Sequence, residues 1–204
     1  MTLLHREIPN ISSIDIFQLN DKYQVTVETW RDQKIVIVDN IYTNPLSIKN
    51  FILTTPCFLD TESAYPGFRS RSIIQSNLPM LCRKLVALYY PNLQDRIEFN
   101  NEFIGGIISP DSLIDDRVYN VHRDGYGLAG IIYFNDSDVG GTQFFERESE
   151  KNYKLILQIP MRFNRLLLYP MDIYHSGWFV PESFNTEYRI TQNIFYRATE
   201  ENGF

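Results

Sequence analysis

After Pro91 the chain becomes a succession of short, strand-like segments, and this feature constrains its fold most. Residues 96–108, 117–122, 128–134, 142–146, 153–159, 165–169 and 187–197 are rich in Ile, Leu, Phe and Tyr. They are separated by Ser109-Pro110-Asp111, Asp124-Gly125, the run Asn135 to Gly141, Met161 to Asn164 and Pro181 to Asn185. Many short strands with turn residues between them predict a sandwich or barrel. Alanine, the best helix former, occurs only at Ala64, Ala87, Ala129 and Ala198, against 13 Tyr and 14 Phe. Aromatic and β-branched side chains suit a pleated sheet, so composition leans the same way.

The part before Pro91 differs. Residues 22–29 alternate and 34–38 are β-branched, predicting a hairpin turning at Trp30 to Gln33. Thr43-Asn44-Pro45 supplies a cap and a proline at the first helical position, so a helix is expected over 45–54. Leu81, Leu85, Leu88 and Tyr89 recur at helical spacing, placing a second helix over 78–90, ended by Pro91. Residues 56–76, with two prolines, a glycine and several serines, read as irregular. Two helices ahead of many strands would cover one outer face of a sheet. The expectation is one domain over 1–204, with supporting strands and helices in 1–95 and a strand core in 96–198, mainly β with flanking helices.

Bulk properties exclude several classes. A chain of 204 residues can bury roughly 70% of its unfolded surface, so its core needs no disulfide framework. Cys57 and Cys82, so far apart, form neither such a framework nor a zinc cluster. The net charge of −6 argues against a surface that coats nucleic acid. The start becomes charged before an apolar run develops, and no uncharged apolar stretch approaches membrane-spanning length. A soluble, cytoplasmic protein is expected.

Three histidines are present, His5, His122 and His175. In Tyr119-Asn-Val-His122-Arg-Asp124, positions i and i+2 of an extended strand face the same way. The His122 imidazole and the Asp124 carboxylate can therefore enter one cavity. Such a pair alone is weak, since His-x-acid pairs arise by chance. His175 follows the apolar strand Leu166-Leu-Leu-Tyr169 and the turn Pro170-Met-Asp172. Two strand-end histidines and one carboxylate supply the donors of a facial triad, which holds Fe(II) and leaves coordination positions open. Further on, Arg189, Thr191 and Asn193 alternate onto one face of their strand. An inward arginine is costly to bury unpaired and grips a carboxylate with both arms of its fork. The partner is either a protein carboxylate, such as Glu146 or Asp172, or a dicarboxylate ligand.

From about Glu98 to Tyr196 the chain resembles the Fe(II)- and 2-oxoglutarate-dependent dioxygenases, nearest to their prolyl-hydroxylase-like branch. The residues that carry the resemblance are Tyr119-x-x-His122-x-Asp124, Gly130-Ile-Ile-Tyr133-Phe-Asn135 and Gly140-Gly-Thr-Gln-Phe-Phe145. After these come Asn164-Arg-Leu-Leu-Leu-Tyr169, His175 and Arg189, in matching order and spacing. The resemblance implies a double-stranded β-helix, a jelly-roll barrel with a metal near one mouth. It implies that His122, Asp124 and His175 bind Fe(II), that 2-oxoglutarate and O₂ are co-substrates, and that Arg189 grips the far carboxylate of 2-oxoglutarate. Tyr133 matches a hydroxyl that shares this carboxylate, Thr191 a helping hydroxyl, and Asn193 a group at the metal-proximal end. Oxidative decarboxylation to succinate and CO₂ with hydroxylation of a C–H bond is the implied reaction. The substrate would be a peptidyl residue, a free amino acid or a small molecule.

Two departures concern Asn164, where the branch often has Gly, and the basic residue, since some relatives carry Lys instead of Arg189. Asn tolerates the left-handed backbone that such a turn needs. Tyr119 and Trp178 flank candidate ligands and are candidate substrate contacts. Segment 60–72 carries Tyr65, Phe68, Arg69 and Arg71, and with Arg123 these arginines would make the barrel mouth positive. The competing reading of that segment is a solvated loop. Two other classes fit the same barrel: a metal-binding jelly roll without turnover, and a cupin-like isomerase, which has no need of an inward arginine.

Overall fold

The computed structural model describes residues 16–59, 67–75, 77–108, 120–179 and 188–198. The predicted hairpin is β1 (Gln24–Trp30) and β2 (Gln33–Asp39), joined by a two-residue turn in which Arg31 takes a positive φ of 53°. Helix α1 (Pro45–Thr54) begins as expected, with the Asn44 side chain accepting the Ser47 N–H at 3.3 Å and Pro45 in the first turn. Helix α2 covers Asn77–Tyr89, and a short 3₁₀ turn follows at Pro91–Leu93.

Residues 56–76 are a correction. They contain two strands, β3 (Cys57–Leu59) and β4 (Phe68–Ile74). The sequence hides them because β3 is short and β4 carries Arg69, Ser70, Arg71 and Ser72, poor advertisements for a strand. Pairing holds them: β4 lies against β5 (Glu102–Ile108) with a bulge between Arg69 and Ser72, and β3 lies against β4. The remaining strands are β6 (Gly127–Tyr133), β7 (Ser137–Arg147), β8 (Tyr153–Met161), β9 (Arg165–Pro170), β10 (Tyr174–Phe179) and β11 (Arg189–Arg197). The second correction is β10, a segment absent from the strands expected on sequence. Ser176 and Gly177 at its centre weaken the intrinsic signal, and the strand forms by pairing with β7.

All pairings are antiparallel. One sheet has the order β1-β2-β9-β6-β11-β5-β4-β3, the other β10-β7-β8. From β6 onward the chain crosses between the two sheets: β6 lies in the large sheet, β7 and β8 in the small one, β9 in the large, β10 in the small and β11 in the large. This winding is that of a mainly β jelly roll, as the strand pattern and the resemblance led us to expect.

Strand alternation sorts side chains into two cores. On β9, Leu166 and Leu168 face outward to a cluster that includes Ile48 and Ile52 of α1 and Leu81, Cys82, Leu85 and Val86 of α2. Leu167 and Tyr169 face inward, against Phe144 of β7 and Ile159 and Met161 of β8. Each fully buried aliphatic side chain contributes about 1.5–3 kcal/mol. The two helices therefore cover one face of the large sheet and leave the other to the site. Burial in the helix-side core pushes the Cys82 thiol up to about 12, which keeps it protonated and inert. At the turn into β9, Asn164 has a φ of 65°. Its side chain accepts the Tyr42 N–H at 3.0 Å and donates to the Tyr42 carbonyl at 2.8 Å, and its own N–H donates to the Tyr133 carbonyl at 2.8 Å.

Candidate metal centre

His122 and His175 form an isolated antiparallel bridge in which each backbone N–H donates to the other's carbonyl at 2.9 Å. Their imidazole centroids are 4.5 Å apart. His175 projects from β10, opposite Phe144 of β7. Of the expected 117–122 strand, residues 117–119 lie outside the described residues; among 120–122, His122 forms this bridge. Two residues on, the Asp124 N–H donates to the Met171 carbonyl at 2.9 Å. Just beyond, Gly127 has a φ of 123°, and a Cβ there would stand 2.1 Å from the Tyr196 carbonyl oxygen. Only glycine lets this segment run so close to β11.

These backbone ties bring three donor atoms together. His175 Nε2 lies 3.3 Å from Asp124 Oδ2, and His122 Nε2 lies 3.7 Å from Oδ1. One ligand atom from each of the three residues lies within 4.8 Å of the others. The orientation of both rings is set from behind. His122 Nδ1 is 2.8 Å from the Asn120 carbonyl and His175 Nδ1 is 3.0 Å from the Ile173 carbonyl. A carbonyl only accepts, so each Nδ1 carries the proton and each Nε2 presents a lone pair, the arrangement by which metal-ligating histidines are tuned. Two neutral imidazoles and one carboxylate fit a divalent first-row metal with open positions.

Burial and charge act on His122 and Asp124. Burial holds the His122 imidazolium below its usual range, and the charge of His175 adds to this. For Asp124 burial works in the opposite sense, yet the hydrogen bond and charge of His175, with the charges of His122 and Arg69, keep its carboxyl below the usual value. A metal held here would take the place of those imidazole charges, against two Nε2 lone pairs and one carboxylate anion.

The inner face of β11 carries the rest. Arg189 and Thr191 are buried and Asn193 is half-buried. Thr191 stands opposite Tyr133 of β6. The Arg189 guanidinium lies 5.4 Å from the Tyr133 ring centroid and hydrogen-bonds to its hydroxyl. Burial raises the Tyr133 phenol, offset in part by the Arg189 charge, so Tyr133 remains a neutral hydroxyl. Neither carboxylate considered from sequence takes the inner position, since Glu146 pairs with Arg31 and Asp172 is exposed. Asn193 donates to Thr191 Oγ1 at 3.1 Å and to the Ile104 carbonyl at 3.2 Å, which ties it to its own strand's row of polar groups. Tyr119 lies outside the described residues, as do Tyr65 and the rest of 60–66.

Sequence reasoning missed Thr142, whose hydroxyl is 2.5 Å from the Tyr133 hydroxyl. Its signal lay in Gly140-Gly-Thr142, where a polar residue follows two glycines on an inward-facing strand. The carbonyls of Asn120 and Ile173 carried no signal, because any residue type offers one.

Comparison with known proteins adds little to this geometry. Residues 145–196, about a quarter of the chain, match a family described as being of unknown function (DUF6445). A search of curated proteins finds no match. Among solved structures, the chain is similar to a prolyl 4-hydroxylase from Phytophthora capsici, with a TM-score of 0.45 and 13% identity, over 82% of this chain. The chain spans 60% of that protein's length. No described helix is long and apolar enough to cross a membrane.

Proposed function

We propose that this chain is an Fe(II)- and 2-oxoglutarate-dependent oxygenase that hydroxylates a C–H bond. One observation carries the reading: two imidazole Nε2 atoms and a carboxylate converge in the same barrel whose inner wall bears the buried Arg189. When bound, iron and 2-oxoglutarate supply activation of O₂ and an oxidative decarboxylation to succinate and CO₂.

The chain's own groups bind and orient. His122, Asp124 and His175 would hold the metal through Nε2, a carboxylate oxygen and Nε2. The Asn120 and Ile173 carbonyls keep the imidazole protons on the rear nitrogens, so neither ring needs to change tautomer. Arg189 would take the far carboxylate of 2-oxoglutarate as a planar two-point pair, in a water-poor setting where such a bond is strong. The Tyr133 hydroxyl has one proton to donate. With Thr142 held against it at 2.5 Å, the pair can pass one bond to the carboxylate and keep one between themselves. The aromatic faces of Tyr169 and Phe144, whose ring centroids lie 5.0 and 6.5 Å from that of His175, exclude water from one side of the metal position.

The test is anaerobic Fe(II) titration followed by aerobic 2-oxoglutarate turnover, read as succinate. One Fe(II) per chain and metal-dependent succinate formation are expected from the native protein, and neither from His175→Ala. Stoichiometric metal binding with no succinate formation would make the chain a metal-binding jelly roll without turnover.

A further inference from the structure

Beyond Asn193 the pairing of β5 with β11 stops. The two strands run in register from Arg189 opposite Ile108 to Asn193 opposite Ile104, and then diverge. The chain ahead of β5 meets β11 again only at its far end. There Ile97 bridges Ala198, and the Glu98 N–H donates to the Arg197 carbonyl at 3.1 Å. Asn100 spans the gap, donating to the Phe195 carbonyl at 3.2 Å and accepting the Glu102 N–H at 3.2 Å. The opening framed in this way is a cleft of about 240 Å³. Pockets for whole ligands begin at roughly 300 Å³, so this one has room for a single functional group and its stem.

The cleft lies on the metal-facing side of the large sheet. On β5, Ile108 belongs to the inner core, and Ile104 and Glu102 share its face, whereas Phe103 and Ile107 belong to the helix-side core. On β11 the inward set Arg189, Thr191 and Asn193 continues to Phe195 and Arg197, and the last three of these border the cleft. Arg197 stands opposite Gly127, and its guanidinium lies 3.7 Å from where a Cβ would stand on Gly125, the residue after Asp124. The cleft therefore opens beside the loop that carries a metal ligand. The arginines marked in the sequence at the mouth are not in its wall. Arg71 is exposed, and Arg123 stacks on the Tyr174 ring, 4.7 Å from its centroid. Arg69 sits one row deeper, opposite Gly106, in the row of Thr191 and Tyr133.

The polar ends left over in the wall are mostly acceptors. Asn193 gives its amide N–H groups to the Ile104 carbonyl and to Thr191 Oγ1, so its carbonyl oxygen is the end that stays available. Among the described residues, Glu98 and Glu102 pair with neither Arg197 nor any other cation. Two carboxylates against one guanidinium leave the wall one charge negative, on a chain of net charge −6. Ile104 and Phe195 supply the apolar wall, and an aromatic face also attracts a cation.

We propose that this cleft holds a cationic group of the substrate, an alkylammonium or guanidinium on a short apolar stem, with the C–H to be oxidised lying toward the metal. The inference rests on the oxygenase reading and names the chemical class of its substrate. The stem packs on Ile104 and Phe195, and the head donates charge-assisted hydrogen bonds to Glu98, Glu102 and the Asn193 carbonyl oxygen. Arg197 acts against such an occupant, so its removal has the opposite sign from removal of the glutamates.

The experiment reads binding by calorimetry. The probes are butylamine and N-acetyl-lysine N-methylamide, a free amine and a peptidyl side chain. Each is set beside an uncharged counterpart, butan-1-ol and N-acetyl-norleucine N-methylamide. The protein is loaded with Mn(II) and 2-oxoglutarate, and each titration is repeated without them, because the wall of the cleft contains no residue of the triad. At least one amine should bind about ten-fold more tightly than its counterpart in both states. Which amine does so distinguishes a small molecule from a peptidyl substrate. The double variant Glu98→Gln, Glu102→Gln should weaken that amine roughly ten- to hundred-fold, and Arg197→Gln should tighten it. Amines that bind no better than their counterparts, a double variant that binds them as the native chain does, or an Arg197→Gln chain that binds them no more tightly would each overturn the proposal. Failure of Mn(II) and 2-oxoglutarate to bind, with amine binding intact, would sink the oxygenase reading alone.

Discussion

Asn164 concentrates several physical effects at one residue, so its replacement has a calculable cost. Its side chain makes two buried hydrogen bonds to the Tyr42 backbone, at 3.0 and 2.8 Å, and its backbone sits at a φ of 65°. Asn164→Gly removes both side-chain bonds but suits the left-handed backbone. Each lost bond leaves a Tyr42 backbone group stranded, at about 1–3 kcal/mol apiece. Water entering the vacated space recovers part of this, so a loss of about 2–4 kcal/mol is expected. Asn164→Ala removes the same bonds and, unlike glycine, keeps a Cβ in the left-handed region, so it should be less stable than Asn164→Gly by about 1–2 kcal/mol. Urea unfolding at pH 7.5, followed by circular dichroism, measures both. Two variants of equal stability would refute the backbone part of the reasoning. A loss below about 1 kcal/mol in Asn164→Gly would refute the hydrogen-bond part.

Other outcomes follow from the site. Arg189→Ala should weaken 2-oxoglutarate binding by about 2–5 kcal/mol in calorimetry while Fe(II) binding survives, because Arg189 is no ligand. Tyr133→Phe should cost about 1.5–3 kcal/mol in the same assay, with Thr142→Val showing a smaller loss through the bond that orients the phenol. Asp124→Ala should abolish stoichiometric metal binding, read by elemental analysis after dialysis. The His122 imidazolium is held below its usual range in the folded protein, so the unfolded chain takes up that proton first as pH falls through about 6.5. Native stability should therefore drop between pH 7.5 and 5.5, and His122→Gln should flatten that dependence; an unchanged slope would refute the assignment.

Much of the core was legible because it repeats local rules. Asn44-Pro45 marks the start of α1 by chemistry that acts within one turn, and the recurrence of Leu81, Leu85, Leu88 and Tyr89 marks α2 by period, although Leu88 itself is exposed. The alternation of Arg189, Thr191 and Asn193 against Ile190, Gln192 and Ile194 was legible for the same reason, and the barrel keeps that division. What failed was local weakness redeemed by distant pairing. Nothing in Phe68 to Ile74 or in Tyr174 to Phe179 announces a strand, and each becomes one because a neighbour far along the chain offers a ladder of hydrogen bonds.

The sequence by itself determined which groups could do chemistry: two imidazoles, one carboxylate two residues from the first of them, and an arginine on an inward strand face. Residue type and period are local properties, and they suffice for that. Only the tertiary structure decided that His122 and His175 bridge each other, that the Asn120 and Ile173 carbonyls turn both Nε2 atoms toward Asp124, and that Arg69 shares a row with Thr191 and Tyr133. Those facts depend on strand register, and register is set by packing two hydrophobic faces at once, which no single segment encodes.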